Sequence, residues 1–125
     1  MAPMLPKLFF VHFEGTSFVA EDDDGRLAGF LCGFLSQTHA EEAYVHFVGV
    51  DPEFRGSGVG RSLYERFFEA AQAGGRKVVR CVTAPENETS VAFHQSLGFE
   101  VERVDENYDG LGAARVIMER KLRAG

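Results

Sequence analysis

The stretch from Val48 to Phe68 constrains the fold of this chain more than any other. It reads as a strand, a glycine-rich turn and a helix. Tyr44 to Val50 is β-branched and aromatic and closes on Asp51-Pro52, the pattern of a strand meeting a breaker. From Val59 onward, Val59, Leu63, Phe67 and Ala71 recur at four-residue spacing, one apolar stripe of a helix. Between strand and helix lies Arg55-Gly56-Ser57-Gly58-Val59-Gly60. Glycines let a backbone adopt positive φ and approach a ligand closely. A helix start directs unpaired N–H groups, and the positive end of its dipole, toward that ligand. The guest that fits is an anion such as a phosphate or pyrophosphate.

The flanking segments read as an alternation of strands and helices. Leu5 to Phe13 is expected to form a helical turn or two, with Leu8, Phe9 and Val11 or Phe13 inward. Thr16 to Glu21 reads as a strand and Asp22-Asp-Asp-Gly25 as a hairpin turn. Leu27 to Gln37 is a long apolar strand with Gly29 and Gly33 as candidate bulges, and Ala43 to Val50 is the third strand. The helix ends at Gly74. Lys77 to Thr83 is a buried-type strand, so strand, crossover helix and strand predict a parallel βαβ unit. Ser90 to Leu97 is a short helix stopped by Gly98. Phe99 to Val104 and Arg115 to Leu122 form a last antiparallel pair around the Asn107 to Ala113 loop.

Size and charge bound the function. The 125 residues suit one domain, residues 1–125, with a single core. The net charge of −6 argues against generic affinity for nucleic acid, and an acidic surface suits a cationic amine. No apolar run approaches membrane-spanning length, and Met1 to Pro6 has two prolines and no charged-then-apolar leader, so neither membrane nor targeting segment is expected. Cys32 and Cys81 sit in apolar runs and read as reduced core residues of a cytoplasmic protein. His12 and His39 lack metal-ligand spacing with the other histidines, and the acidic run at Asp22 has no further ligand at calcium-loop spacing, so no metal is assigned.

The loop discriminates among phosphate binders. A Walker A loop ends in Gly-Lys-Ser/Thr, but here Gly60 is followed by Arg61-Ser62. A dinucleotide fingerprint needs G-x-G-x-x-G, whereas Gly56, Gly58 and Gly60 are spaced G-x-G-x-G. The pattern R/Q-x-x-G-x-G/A is filled by Arg55, Gly58 and Gly60, after a V-x-V-D-P strand end and before an amphipathic helix. A second stretch reads Asn87-Glu-Thr-Ser90-Val-Ala-Phe93-His94-Gln-Ser-Leu-Gly98-Phe99. Together these resemble the GNAT superfamily of acetyl-CoA-dependent N-acetyltransferases, over roughly Ser17 to Leu122. The resemblance implies an α/β fold with a central mixed sheet of about six strands and helices on both faces. The family's first strand and helix have no counterpart before Leu5, so an N-terminally shortened domain is expected, and an exposed sheet edge would invite a homodimer.

The resemblance also implies roles. The backbone of Val48 to Val50 would hold the pantetheine arm, with the Val50 N–H as oxyanion donor. Arg55, Gly56, Ser57, Gly58, Val59 and Gly60 would cradle the pyrophosphate, Arg61 adding charge, and Asn87 would touch the pantetheine. By register from Arg55, family members carry a base or water-ordering group at the positions of Tyr44 and His46. Strand alternation puts Tyr44, His46 and Val48 on one face, and His46 is the candidate base. His94 stands where the family has tyrosine, a candidate acid for the departing thiolate; the plainer reading is a surface helix histidine. Cys81 as an acyl acceptor fits less well than an inert core thiol. Tyr108 and Asp109 lie in a loop that lines the acceptor pocket in related folds.

The expected activity is direct acetyl transfer from acetyl-CoA to a primary amine of a small molecule or peptide. A non-catalytic acyl-CoA-binding module and an interaction domain with a vestigial loop are the alternatives; cofactor binding and then turnover separate them.

Overall fold

The computed structural model describes residues 7–122; Met1 to Pro6, including the start of the first apolar stretch, lie outside the described residues. The elements are helix α1 (Lys7–His12), strands β1 (Phe18–Glu21), β2 (Leu27–Leu35) and β3 (Glu42–Val50), helix α2 (Val59–Ala73), strand β4 (Val78–Thr83), helix α3 (Glu88–Ser96) and strands β5 (Glu100–Asp105) and β6 (Arg115–Lys121). They form one six-stranded mixed sheet in the order β1-β2-β3-β4-β6-β5. Only β3 and β4, joined through α2, run parallel. This is the α/β arrangement the motifs implied, with β1 and β5 at the edges.

The two faces of the sheet are covered unequally. On one face, Leu63, Tyr64, Phe67 and Ala71 of α2 meet Leu31, Ala43, Val45, Val79 and Met118, with Leu97 and Phe99 closing the core. The expected stripe is therefore inside, widened by Tyr64, which meets Phe93 and His94 of α3, and by Phe68, which meets Phe99. On the other face, α1 covers Phe30 and Cys32 through Phe9, with Phe13 and Phe34 at the margin. Leu8 and Val11, expected inward, are 59% and 56% exposed. A six-residue helix turns only one narrow stripe inward, and the pair one turn apart, Phe9 and Phe13, fills it, with ring centroids 5.3 Å apart.

Turn chemistry holds the ends. Asp22 accepts from the backbone N–H groups of Asp24 and Arg26, both at 2.9 Å, closing the β1–β2 hairpin. Neither Gly29 nor Gly33 is the extra residue of a bulge. The register shifts leave Ala28 extra on β2, opposite Ala20 and Glu21, and His46 extra on β3, opposite Cys32 and Gly33. Gly33 instead makes room for α2, since a Cβ there would lie 2.4 Å from Phe67.

Candidate active site

The glycine loop and the start of α2 form one end of the site. Gly58 is the N-cap of α2 with φ +86°, in the left-handed region where a Cβ is strained, and no side chain caps the helix. The first-turn N–H groups of α2 are thus left without a side-chain partner. The Ser57 hydroxyl donates to the Phe54 carbonyl and tightens the turn. Arg55 and Arg61 line a cleft of about 660 Å³ together with Val50, Asn87 and Phe93. Gly60 serves another purpose than the loop glycines: it is buried, and Phe93 of α3 packs directly over it.

The sheet opens beside this cradle. β3 pairs with β4 only through Glu42 with Val78, Ala43 with Val79 and Tyr44 with Arg80. Both strands continue, β3 to Val50 and β4 to Thr83, without further pairing, and a cleft of about 710 Å³ lies at the gap. The Asp51 N–H donates to the Ala28 carbonyl at 2.8 Å. That bond makes Val50 and Gly29 a non-hydrogen-bonded antiparallel pair, and alternation makes Val48 and Leu31 another. The backbone N–H and C=O groups of Val48 and Val50 therefore turn away from β2, toward the gap.

The bulge at His46 changes which side chains share a face. Tyr44 stacks on Phe34, His46 on Phe9 and Phe47 on Phe30, all on the α1 side. Val45 and Val48 pack on the α2 side. Simple alternation placed Val48 with Tyr44 and His46. The extra residue resets the alternation, so Val48 lies on the opposite face. His46 keeps its expected face; its ring lies 5.0 Å from that of Phe9 at 13°, and it lines the opened cleft.

Helix α3 supplies the facing wall. Asn87 is its N-cap; its side-chain carbonyl accepts from the Ser90 N–H at 3.1 Å, which leaves the amide NH₂. His94 is not a surface residue: it is 5% exposed and lines both clefts. Its Nδ1 lies 2.7 Å from the Ser90 carbonyl and its Nε2 lies 2.6 Å from the Tyr64 hydroxyl. Burial pushes its pKa down, more than the Ser90 carbonyl raises it. A neutral imidazole that donates from Nδ1 to the Ser90 carbonyl would accept at Nε2 from Tyr64, and both nitrogens have a partner. Both contacts bear on the candidate role of His94 as acid for the departing thiolate.

A third cleft, of about 310 Å³, continues from the gap along the α1 face and shares Tyr44, Cys81, Val82 and Tyr108 with it. Burial, and then Tyr108, push the Tyr44 phenol above its usual range. Asp109 is paired with Arg115 at 2.9 Å. Cys81 is 3% exposed and burial pushes its thiol up to about 12, as an inert core thiol requires. Among the described residues no group of three or more His, Cys, Asp or Glu could hold a metal ion.

The site is thus a mixed sheet split between its parallel strands, with an uncapped glycine-rich helix start at the mouth of the split. Residues 3–99 match the family model described as the Acetyltransferase (GNAT) family. The chain belongs to the GNAT family. It is similar to an uncharacterized N-acetyltransferase of Methanocaldococcus jannaschii, 36% identical over 91 residues, covering 70% of this chain and 40% of that protein. It is also similar to the N-alpha-acetyltransferase RimI of Mycobacterium tuberculosis, 32% identical, covering 66% of this chain and 51% of that protein. The chain thus spans about half the length, or less, of these two relatives. The crystal structure of Chaetomium thermophilum Naa20 with a bisubstrate analogue matches with a TM-score of 0.84 at 24% identity, covering 94% of this chain and 72% of that one, a likeness of fold.

GNAT proteins use acetyl-CoA, and the residues of this chain fit that ligand. A helix start with unengaged N–H groups and two arginines suits a pyrophosphate. An unpaired strand edge suits an amide-bearing arm. Sequence reading missed Tyr64, which has no exposed surface and is the hydrogen-bond partner of His94. A signal was present: each residue carries a polar tip beside an apolar helix stripe, and buried polar tips find partners.

Proposed function

We propose that residues 1–125 form one N-acetyltransferase domain that binds acetyl-CoA and passes the acetyl group directly to a primary amine of a small molecule or peptide. The observation that carries this reading is the backbone of Val48 and Val50, turned into the gap between the cradle and His46. Acetyl-CoA supplies the thioester carbonyl and the departing thiolate. Arg55 to Gly60, with Arg61, hold the pyrophosphate through N–H groups and charge. The backbone of Val48 and the Asn87 NH₂ bind the amide-bearing arm, and the Val50 N–H donates to the carbonyl oxygen as negative charge develops on it.

His46 accepts the proton of the attacking amine, directly or through one water, and Tyr44 orders that water. His94 positions α3 and donates no proton, so the sulfur is protonated from solvent. Acceptor amines enter along the cleft lined by Tyr44 and Tyr108. RimI acts on an N-terminal amine by its name, and a peptide N-terminus is accordingly one of the acceptor classes to test. The two free thiols suit a cytoplasmic setting, and no helix among the described residues is long and apolar enough to cross a membrane.

Calorimetric titration with acetyl-CoA and with free CoA tests the cradle. Saturable binding near micromolar strength, about −8 kcal/mol, is expected. Thiol release across a panel of small amines and peptides then tests transfer. Absence of binding to folded protein defeats the reading; binding without turnover points to an acyl-CoA-binding module.

A further inference from the structure

The wall between the two larger clefts rests on a buried hydrogen bond between helices. Tyr64 of α2 is 0% exposed and His94 of α3 is 5% exposed, and the hydroxyl lies 2.6 Å from Nε2. At the other ring nitrogen, Nδ1 lies 2.7 Å from the Ser90 carbonyl, which can only accept. Nδ1 must therefore carry a proton. The rings of Phe93 and Phe99 enclose the imidazole at 5.4 and 5.3 Å.

The groups facing His94 decide its charge. Helix α2 presents Tyr64, and β4 presents Cys81 behind it. Helix α3 presents Ser90 and Phe93, and Phe99 precedes β5. Strand β6 brings Arg115 to the same cleft, already paired with Asp109. Among the described residues no carboxylate is a hydrogen-bond partner of His94, so an imidazolium would be buried without a counter-charge. A neutral ring leaves Nε2 as an acceptor, and the Tyr64 hydroxyl is the donor it meets.

We propose that Tyr64 is a positioning residue of the acetyl-transfer site: it donates to Nε2 of His94 and holds the imidazole as the Nδ1–H tautomer, with no N–H turned to the cleft. This rests on the transfer reading above. Held so, His94 gives no proton to the departing sulfur, and its Nε2 lone pair is kept from the thioester. The same bond ties α2 to the turn of α3 that carries Ser90 and Asn87. Tyr64→Phe keeps the ring in the core and removes only the donor.

Long-range proton–nitrogen NMR of the imidazole, read beside the pH dependence of kcat, tests this. In the wild type Nδ1 is expected to be protonated and Nε2 bare at pH 8, and the ring to stay neutral below the pH at which an ordinary histidine charges. In Tyr64→Phe the Nε2 resonance shifts and the ring titrates at higher pH. There kcat falls about tenfold and gains a new ionisation, while the Kd for acetyl-CoA stays within about twofold. A protonated Nε2 in the wild type, or a folded Tyr64→Phe with an unchanged kcat–pH profile, overturns the proposal. If Tyr64→Phe does not fold, the wild-type spectrum still decides the tautomer. His94→Gln, which keeps an acceptor for Tyr64, is then expected to retain the wild-type pH limbs; loss of a limb overturns the proposal. Transfer by a wild type with Nε2 protonated overturns this role alone. No transfer to any amine overturns the transfer reading and this role together.

Discussion

Gly60 and Phe93 are in closer contact than any side chain at position 60 would allow: a Cβ built on Gly60 would stand 2.8 Å from Cζ of Phe93. This contact seats α3 against the start of α2 and brings Asn87 to the cradle. Gly60→Ala is expected to destabilise the protein by about 1–3 kcal/mol as Phe93 is displaced. Thermal unfolding checks it, and an unchanged Tm would show that α3 yields freely. Affinity for acetyl-CoA should fall alongside.

Gly58 tests the cradle itself. Its φ of +86° places any other residue in the left-handed region, at about 1–2 kcal/mol. Gly58→Ala is expected to weaken acetyl-CoA binding on the order of tenfold, because relief of that strain moves the first N–H groups of α2. Calorimetry on the variant reads this, and wild-type affinity would remove Gly58 from the binding site.

Removing His46 separates binding from chemistry. As general base it contributes roughly 10²–10⁴-fold to turnover. His46→Ala should lower kcat by that order with the best amine found and leave the Kd for acetyl-CoA near wild type. The stack on Phe9 is lost as well, so Tm is recorded to separate a folding defect from lost chemistry. Turnover equal to wild type would clear His46 of this role.

Stability should depend on pH through His94. Its folded pKa lies below the ordinary value of 6.5, chiefly through burial. The unfolded chain therefore binds the proton first as pH falls. The stabilisation from the neutral buried ring is present above about pH 6.5 and is lost as pH drops toward the lower folded value. Tm is expected to be lower at pH 5.5 than at pH 7.5, with part of the difference abolished in His94→Phe. Equal pH dependence in the variant would assign the effect to other groups.

Arg80 links three strands. Its guanidinium meets Glu42 of β3 at 2.7 Å, Glu119 of β6 at 3.1 Å and Glu102 of β5. Arg80→Met leaves three half-buried carboxylates facing one another, at a cost of about 2 kcal/mol near neutral pH. Added salt screens the repulsion, so the loss should shrink at high ionic strength. A loss that is the same at low and high salt would contradict an electrostatic origin.

Much of the fold was legible because the signals are local. The stripe Val59, Leu63, Phe67 and Ala71 repeats within one helix, and its burial follows from that repeat. Gly58, Gly75 and Gly98 punctuate helices by a backbone requirement that a single residue expresses, although the left-handed residue after α2 is Gly75, one beyond the expected stop at Gly74. The face of Val48 was misread for the opposite reason. Strand alternation holds only while the register is regular, and the bulge at His46 arises from pairing with β2, which no run of residues in β3 displays.

The amino-acid order alone thus determined the sequence of elements, the glycine loop at the start of α2 and the family those motifs resemble, because each depends on residues within a few positions of one another. Only the tertiary structure decided that β3 and β4 part after Tyr44, that Val48 and Val50 turn their backbone into the gap, and that Tyr64 and His94 share a hydrogen bond across thirty positions of chain. Those features depend on how separate elements pack. A side chain's partner, and with it its proton and its charge, is set by what the fold brings beside it.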